Sequence, residues 1–190
     1  MMPSIEFSKL KLGELQVQAK GAKHIPLFYN GEQQFKWHPG ALQVLWQPKA
    51  FNDPTATRVS ICFQTTPEVE NYIHALESWV LDQVKANPQM YLGHALTPDK
   101  VEAMFTSALK TSEKGYTHLR AKMNLGPGKM ACKVWDAETR KPRPHPEDWT
   151  ICQVCPAISI RGLWIMSKDF GLILEMQDAL VSEAAQLCPF

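Results

Sequence analysis

The apolar residues of the chain change their spacing abruptly at Thr65 and Thr66. From Arg58 to Gln64 they alternate with polar residues, which is the period of a strand with one buried face. From Pro67 to Ala86 they recur at steps of three and four, which is the period of a helix with one buried stripe. A half-buried strand that runs directly into a long amphipathic helix requires a fold that mixes both element types.

Strand patterns dominate the rest of the chain. Asn30-Gly31 tolerates positive φ at both positions and predicts a type I′ hairpin within Lys23–Trp37. Two long apolar runs, Ala157–Met166 and Phe170–Val181, predict a closing pair of strands. A second, shorter helix is predicted after Thr97, with proline in its first position. The predicted fold class is therefore α+β and mainly β, or a small β-barrel with inserted helices.

Composition excludes several classes of protein. The 190 residues suit one domain, and 20 Lys+Arg against 19 Asp+Glu exclude a histone-like polybasic chain. No run of 18 apolar residues is present, so no membrane-spanning helix is predicted. The N-terminus lacks the apolar core of a signal peptide, and an odd count of 5 cysteines argues against a disulfide framework. We expect an intracellular domain with reduced cysteines.

Basic residues are concentrated in one segment. Between Lys110 and Arg143 nine Lys and Arg residues face three acids, a local net charge of +6. One interpretation is a basic binding surface. The other is chance segregation of charge on solvated faces.

Side-chain alternation within this segment predicts a mixed basic and aromatic face. We predict that Tyr116–Met123 and Lys129–Trp135 form a second hairpin, each strand with one small, apolar face. The other face would carry Tyr116, His118, Arg120, Lys122, Lys129, Lys133 and Trp135. Single-stranded nucleic acid needs this mixture, because cations follow phosphates and aromatic rings stack on bases. The alternative is an ordinary amphipathic hairpin with solvated Lys and Arg.

A smaller basic and aromatic cluster lies earlier in the chain. Lys36, Trp37 and His38 form it, close to Lys49 and Phe51, and Arg58 is a further candidate on an adjoining predicted strand. Trp37 taken alone fits a core residue better than a stacking platform. Trp164, inside an apolar run, is predicted to be core.

Metal-binding and catalytic signatures are weak or missing. Cys152 and Cys155 form a single CxxC pair, to which Cys132 and His145 could add two further zinc ligands. One CxxC is weak support, and plain cysteines are the favoured interpretation. The sequence lacks GxxxxGK[ST], GxGxxG, HExxH and GxSxG. We therefore predict no enzyme, no metal and no cofactor, with a zinc-dependent or nucleic-acid-processing enzyme as a minor alternative.

The order of these elements resembles a known family. The resemblance lies in five segments: IPLFYNGEQQFKW, TRVSICFQTTPEVENYIHALESWVLDQV, YTHLRAKMN, KMACKVWD and CPAISIRGLWIMSKDFGLILEMQDALV. Together they resemble the single-stranded-DNA-binding proteins of large DNA viruses of algae and protists. Those proteins are similar to the single-strand binders of short-tailed bacteriophages. The resemblance covers residues 23–181.

The resemblance implies an OB-fold-like barrel with an inserted long helix, binding single-stranded DNA with little sequence preference through a groove of aromatic and basic residues. The domain would span residues 1–190, with a core of about 20–182 and a short tail at 183–190. The phage proteins end in a long acidic tail with a terminal aromatic residue. Here the tail keeps one acid, Glu183, and the terminal Phe190, which is a candidate partner-binding residue.

The sequence thus predicts a non-catalytic protein that coats single-stranded DNA during replication or recombination. Its predicted partners are single-stranded DNA, with RNA left open, and replication proteins. Its predicted location is the nucleus or a viral or cytoplasmic replication site. The alternative is a protein-interaction or structural module on the same barrel that does not bind DNA.

Overall fold

The computed structural model describes residues 5–18, 21–33, 35–50, 55–113, 115–127 and 131–183. Within them the strands are β1 (Leu10–Leu12), β2 (Gln16–Val17), β3 (Lys23–Tyr29), β4 (Glu32–Gln33), β5 (Phe35–Trp37), β6 (Leu42–Gln43), β7 (Arg58–Gln64), β8 (Leu109–Thr111), β9 (Thr117–Asn124), β10 (Lys133–Asp136), β11 (Pro142–Arg143), β12 (Cys152–Ile165) and β13 (Phe170–Glu183). The helices are α1 (Pro67–Ala86), α2 (Pro88–Leu92) and α3 (Pro98–Met104).

The long helix α1 begins and ends where the sequence predicts. Thr66 is the N-cap, and its side-chain oxygen accepts a hydrogen bond from Val69 N at 3.4 Å. Pro67 occupies the first turn, where it sacrifices no helical hydrogen bond. Ile73, Leu76 and Val80 of the apolar stripe are fully buried. The second predicted helix is confirmed as α3, while the short α2 between the two was not predicted.

The first hairpin is confirmed. Tyr29 pairs with Glu32 around Asn30 and Gly31, whose φ values of 53° and 83° fit the predicted turn. Only β4 completes this hairpin, because β5 leaves it to pair with β12.

The closing strands β12 and β13 form a long antiparallel pair at the centre of the sheet. Their register shifts twice. Arg161 is an extra residue of β12 between the pairs Ile160–Leu174 and Gly162–Ile173, and Gln177 is an extra residue of β13. Each β-bulge reverses the alternation of buried and exposed side chains beyond it.

The predicted second hairpin is wrong in its pairing. β9 pairs with β7 along one edge, and its other edge pairs first with β8 and then, at Lys122 and Met123, with β13 in parallel. β10 also pairs with β13 in parallel, from Lys133 to Asp136. β9 and β10 therefore follow one another along the same edge of β13, joined by a hydrogen bond from Cys132 N to Asn124 O at 2.8 Å.

The core lies between one face of this curled sheet and α1. Trp37, on β5, stacks on Tyr72 of α1 with ring centroids 4.4 Å apart and planes 3° apart. The predicted fold class is confirmed as α+β and mainly β, with a curled half-barrel sheet and inserted helices. Across the described residues, no helix is long and apolar enough to cross a membrane.

Candidate nucleic-acid interface

The face of the sheet opposite the core is polar where β7 and β9 pair. The two strands place Ser60 beside Lys122 and Cys62 beside Arg120, while Ile61 and Leu119 on the alternate positions are fully buried. The prediction that His118, Arg120 and Lys122 share one exposed side of their strand is confirmed. Alternation dictates this arrangement, because successive side chains of a strand point to opposite faces.

Two cations on this face converge on one hydroxyl. Ser60 Oγ accepts hydrogen bonds from Lys122 Nζ at 2.8 Å and from Arg120 Nε and Nη2 at 3.2 and 3.1 Å. In the described part of the chain, no carboxylate forms an ion pair with Arg120, Lys122 or their neighbour Lys110. We call Ser60, Lys110, Arg120 and Lys122 the unpaired-cation region.

The local electrostatics of this region favour an anion. Burial lowers the pKa of Lys122, and the nearby charges of Arg120 and Arg58 lower it further. Each of these effects reflects a cost of keeping Lys122 charged in its present surroundings. A bound phosphate would offset that cost, because an opposite charge stabilises the protonated amine.

A cavity of about 480 Å³ lies beside the unpaired-cation region. It opens where β9 separates from β13, and residues 106–108 bridge the two strands behind it: Thr106 N donates to Phe170 O, and Arg120 N donates to Ala108 O. Arg58, Lys110, Arg120 and Lys122 contribute to its lining.

Trp164 forms one wall of this cavity and is half-buried, so the prediction that it belongs to the core is wrong. The bulge at Arg161 explains the error, because it moves Leu163 and Ile165 into the core and turns Trp164 outward. The indole ring lies over Gly171, its cross-strand neighbour. A Cβ on Gly171 would sit 3.0 Å from Trp164 Cζ2 and 2.5 Å from Thr106 O.

A buried carboxylate fixes the back of the cavity. Glu77 of α1 accepts hydrogen bonds from Ser107 Oγ at 2.8 Å and from Ala108 N at 2.7 Å. Burial raises the pKa of Glu77, while these two hydrogen bonds oppose the rise. The long helix thereby holds the loop that separates β9 from β13.

Aromatic groups continue the face beyond the cations. Trp46 is 42% exposed, and its ring meets the edge of His118 with centroids 5.1 Å apart. Burial lowers the pKa of His118, and the charges of Arg120 and Lys110 lower it further. Tyr116, 36% exposed, lies at the turn of the hairpin that β8 and β9 form.

The remaining predicted residues lie on β5, β7 and β10, where acids of β13 compensate several cations. Lys36 Nζ lies 2.8 Å from Asp178 Oδ2, and Trp135 Nε1 donates to Asp178 Oδ1 at 3.5 Å. Arg161 Nη1 lies 2.5 Å from Glu175 Oε2, and Arg58 Nη2 lies 3.8 Å from Glu175 Oε1. We call Lys36, Trp135, Arg161, Glu175 and Asp178 the ion-paired region. Lys133 is exposed at its edge, in register with Asp178.

Trp37 does not belong to the interface. It is 1% exposed and stacks on Tyr72, so its ring is not accessible to a base. Alternation along β5 places Lys36 on the polar face and turns Trp37 into the core. Lys129 and Phe190 lie outside the described residues.

The four candidate zinc ligands do not converge. Cys152 is buried and Cys155 is exposed, because an interval of three residues in β12 places them on opposite faces. His145 Nε2 instead donates to Cys132 O at 2.8 Å. The described residues contain no group of three or more His, Cys, Asp or Glu side chains that could hold a metal ion.

Sequence reasoning did not single out Lys110, Trp46, Trp164 or Arg161 as site residues. Lys110 belongs to β8, which was not predicted as a strand. The signal for Arg161 and Trp164 was available: a Gly inside a strand pattern marks a bulge, and Gly162 follows Arg161 directly. Gly162 has a φ of +139° and lies so close to β3 that a Cβ would meet Ile25 O.

Comparison with known proteins gives structural likeness only. No family model matches the chain, and no curated protein matches it. The fold is similar to a single-stranded DNA-binding protein from bacteriophage Enc34 in complex with ssDNA (TM-score 0.47, 13% identity, 92% of this chain and 96% of that chain). It is also similar to a C-terminal truncation of that phage protein (TM-score 0.44, 14% identity, covering 95% of this chain and 98% of that chain). Because both TM-scores lie below 0.5, neither likeness supports a functional assignment.

Proposed function

We propose that this protein binds single-stranded DNA without catalysing a reaction, and that it does so through the unpaired-cation region. The observation that carries the proposal is the convergence of Arg120 and Lys122 on Ser60 Oγ, with no described carboxylate paired to either cation. Cations held together without a counter-charge form a site for phosphate. Arg58 and Lys110 extend it along the face.

Exposed aromatic side chains adjoin the cations and favour a single strand over a duplex. Trp46 and Tyr116 are exposed, and the half-buried Trp164 lines the cavity together with Arg120 and Lys122. Stacking on a ring requires a base whose face is free, and every base offers such a face. This combination supports binding with little sequence preference.

The proposed role is to coat single-stranded DNA during replication or recombination at an intracellular replication site, in contact with replication proteins. The viral family resemblance given by IPLFYNGEQQFKW and CPAISIRGLWIMSKDFGLILEMQDALV supports this finer role. Catalysis and cofactors form no part of it.

Fluorescence titration with a labelled oligonucleotide at several salt concentrations tests the proposal. Three phosphate contacts, one for each cation of the unpaired-cation region, predict a slope of about −2.1 for log K against log salt, from about −0.7 per phosphate. The matched duplex should bind more weakly than the single strand. A slope near zero, or equal affinity for the duplex, would contradict the proposal and favour a protein-interaction or structural module instead.

A further inference from the structure

We infer that the cavity beside the unpaired-cation region takes one unstacked nucleobase of the bound strand. The inference rests on the proposed function and adds a base-binding subsite to it. Residues 106–108 line the cavity on one side, and the cations Lys110, Arg120 and Lys122 contribute to the same lining. Its volume of about 480 Å³ falls within the roughly 300–1,000 Å³ of pockets that enclose small molecules, which leaves room for a base and its sugar.

The charge of the cavity fits a phosphate-linked ligand. Four cations contribute to its lining: Arg58 on β7, Lys110 on β8, and Arg120 and Lys122 on β9. None of the Asp and Glu residues that the structure describes does. A nucleotide bound here would keep its phosphate beside Arg120 and Lys122. The base would then extend past the cations into the cavity.

The walls of the cavity fit a flat ring. Trp164 lies on one side, and its indole is held in place over Gly171. Ile173, which is half-buried and lies on the same face of β13 as Gly171, contributes aliphatic surface. An aromatic wall supplies about 1–3 kcal/mol of stacking for each base, and aliphatic walls exclude water from the ring without requiring hydrogen bonds.

Insertion of a base also explains how the face could recognise a single strand. In a duplex each base is paired and stacked, so entry into the cavity would require it to be unpaired at a cost of a few kcal/mol. Phosphate contacts alone would not impose this requirement, because both forms of DNA carry phosphates.

The test measures the affinity of the native chain and of two variants for each of two ligands. The ligands are an oligo(dT) of about 16 nucleotides, the upper site size of one OB fold, and the same backbone with abasic units in place of the nucleosides. The proteins are the full native chain, Trp164→Leu and the control Trp79→Leu. Trp79 lies on α1 and is also partly buried against the core.

The expected result is a loss that depends on the base. Trp164→Leu should weaken oligo(dT) binding by about 5- to 150-fold, the range for one stacked base, and should change binding of the abasic backbone by less than about twofold. Trp79→Leu should change neither. Equal losses on both ligands, or no loss on oligo(dT), would overturn the base-binding subsite and leave the proposed function standing. If the native chain binds neither ligand, both are overturned.

A second variant decides the matter if Trp164→Leu proves unstable. Ile173 is half-buried and contributes to the cavity lining, so Ile173→Phe would place a ring inside the cavity while leaving Trp164 in the protein. The inference predicts that Ile173→Phe weakens oligo(dT) binding and spares the abasic backbone. If its affinity for oligo(dT) equals that of the native chain, the cavity does not take a base.

Discussion

The polar face of the sheet contains two basic regions that differ in how their charges are compensated. In the unpaired-cation region, Arg120 and Lys122 share the neutral hydroxyl of Ser60. In the ion-paired region, Asp178 neutralises Lys36 and orients Trp135, which is half-buried. Both regions are built from the basic and aromatic residue types that a strand of DNA requires. Only the first has charge left to offer, so we expect the two to contribute unequally to binding.

The largest effect should come from the unpaired-cation region itself. Arg120→Ala or Lys122→Ala should each weaken single-stranded DNA binding by about 1.5–3 kcal/mol, the net value of a hydrogen bond to a charged group. Each should also make the salt slope shallower by about 0.7, because one phosphate contact is lost.

Lys11→Ala is the matched control for these variants, since Lys11 is exposed on β1, far from β9 in the order of strands. Titration of the three variants at two salt concentrations checks the prediction. Equal affinities for Lys122→Ala and Lys11→Ala would remove the unpaired-cation region from the account.

A steric effect of similar size is expected at the wall of the cavity. A Cβ at residue 171 would lie 2.5 Å from Thr106 O and 3.0 Å from the Trp164 ring, so Gly171→Ala should destabilise the fold by about 1–3 kcal/mol, as overpacking does. Unfolding in urea measures the change. An unaltered unfolding midpoint would mean that β13 and residues 106–108 are free to separate, contrary to the packing described here.

The unpaired-cation region and the ion-paired region differ in how far the sequence alone could predict them. Alternation along Arg58–Gln64 and Tyr116–Met123 was enough to place Arg120 and Lys122 on one face. It could not reveal that Asp178 would bind both Lys36 and Trp135, because these contacts require the pairing of β5 with β12, the parallel pairing of β10 with β13 and the bulge at Gln177. Parallel pairings and bulges depend on contacts between distant segments, which leave only a weak local pattern.

Trp164 and Trp37 show two opposite errors of sequence-based prediction: the sequence assigns Trp164 to the core and makes Trp37 a candidate for the binding face. Strict alternation places Trp164 with Ile160 in the core, but the extra residue Arg161 turns it to the face. Trp37 directly follows Lys36 in the sequence, yet its strand directs it toward Tyr72. The fold class and the placement of Arg120 and Lys122 on one face were therefore predictable, whereas the positions of Trp37 and Trp164 required the structure.

A smaller effect should follow from releasing the ion-paired region. Asp178→Asn removes the charge that holds Lys36 while keeping an oxygen that can accept from Trp135 Nε1. Affinity for single-stranded DNA should rise by up to about fivefold, because exposed ion pairs contribute at most about 1 kcal/mol. Asp99→Asn, on α3, is the control for a simple change in net charge. Equal gains from both variants would indicate a general charge effect.

The smallest effect concerns pH. Burial, together with the charges of Arg120 and Lys110, holds the pKa of His118 below its ordinary 6.5, so its ring is neutral at pH 7 and gains a proton only in more acidic solution. Protonation adds one cation to the face. We therefore expect the affinity for single-stranded DNA to rise by about two- to threefold as pH falls below 6.5. Added salt should reduce this gain, because it screens the new charge.

His118→Gln should abolish that dependence. The stability of the DNA-free protein should change in the opposite direction. Because folding lowers the pKa of His118, the unfolded state binds a proton more readily than the folded state. The free energy of unfolding should therefore fall as pH drops below 6.5. Unchanged pH dependence in the His118→Gln variant would assign the effect to another group.

Photocrosslinking tests the contrast between the two regions most directly. A single-stranded oligonucleotide carrying 5-iododeoxyuridine at successive positions would be irradiated with the full chain, and the crosslinked residues identified by mass spectrometry. The account predicts crosslinks at Trp164, Trp46, His118 or Tyr116, which surround the unpaired-cation region. Crosslinks confined to Trp135 and its neighbours in the ion-paired region would contradict it.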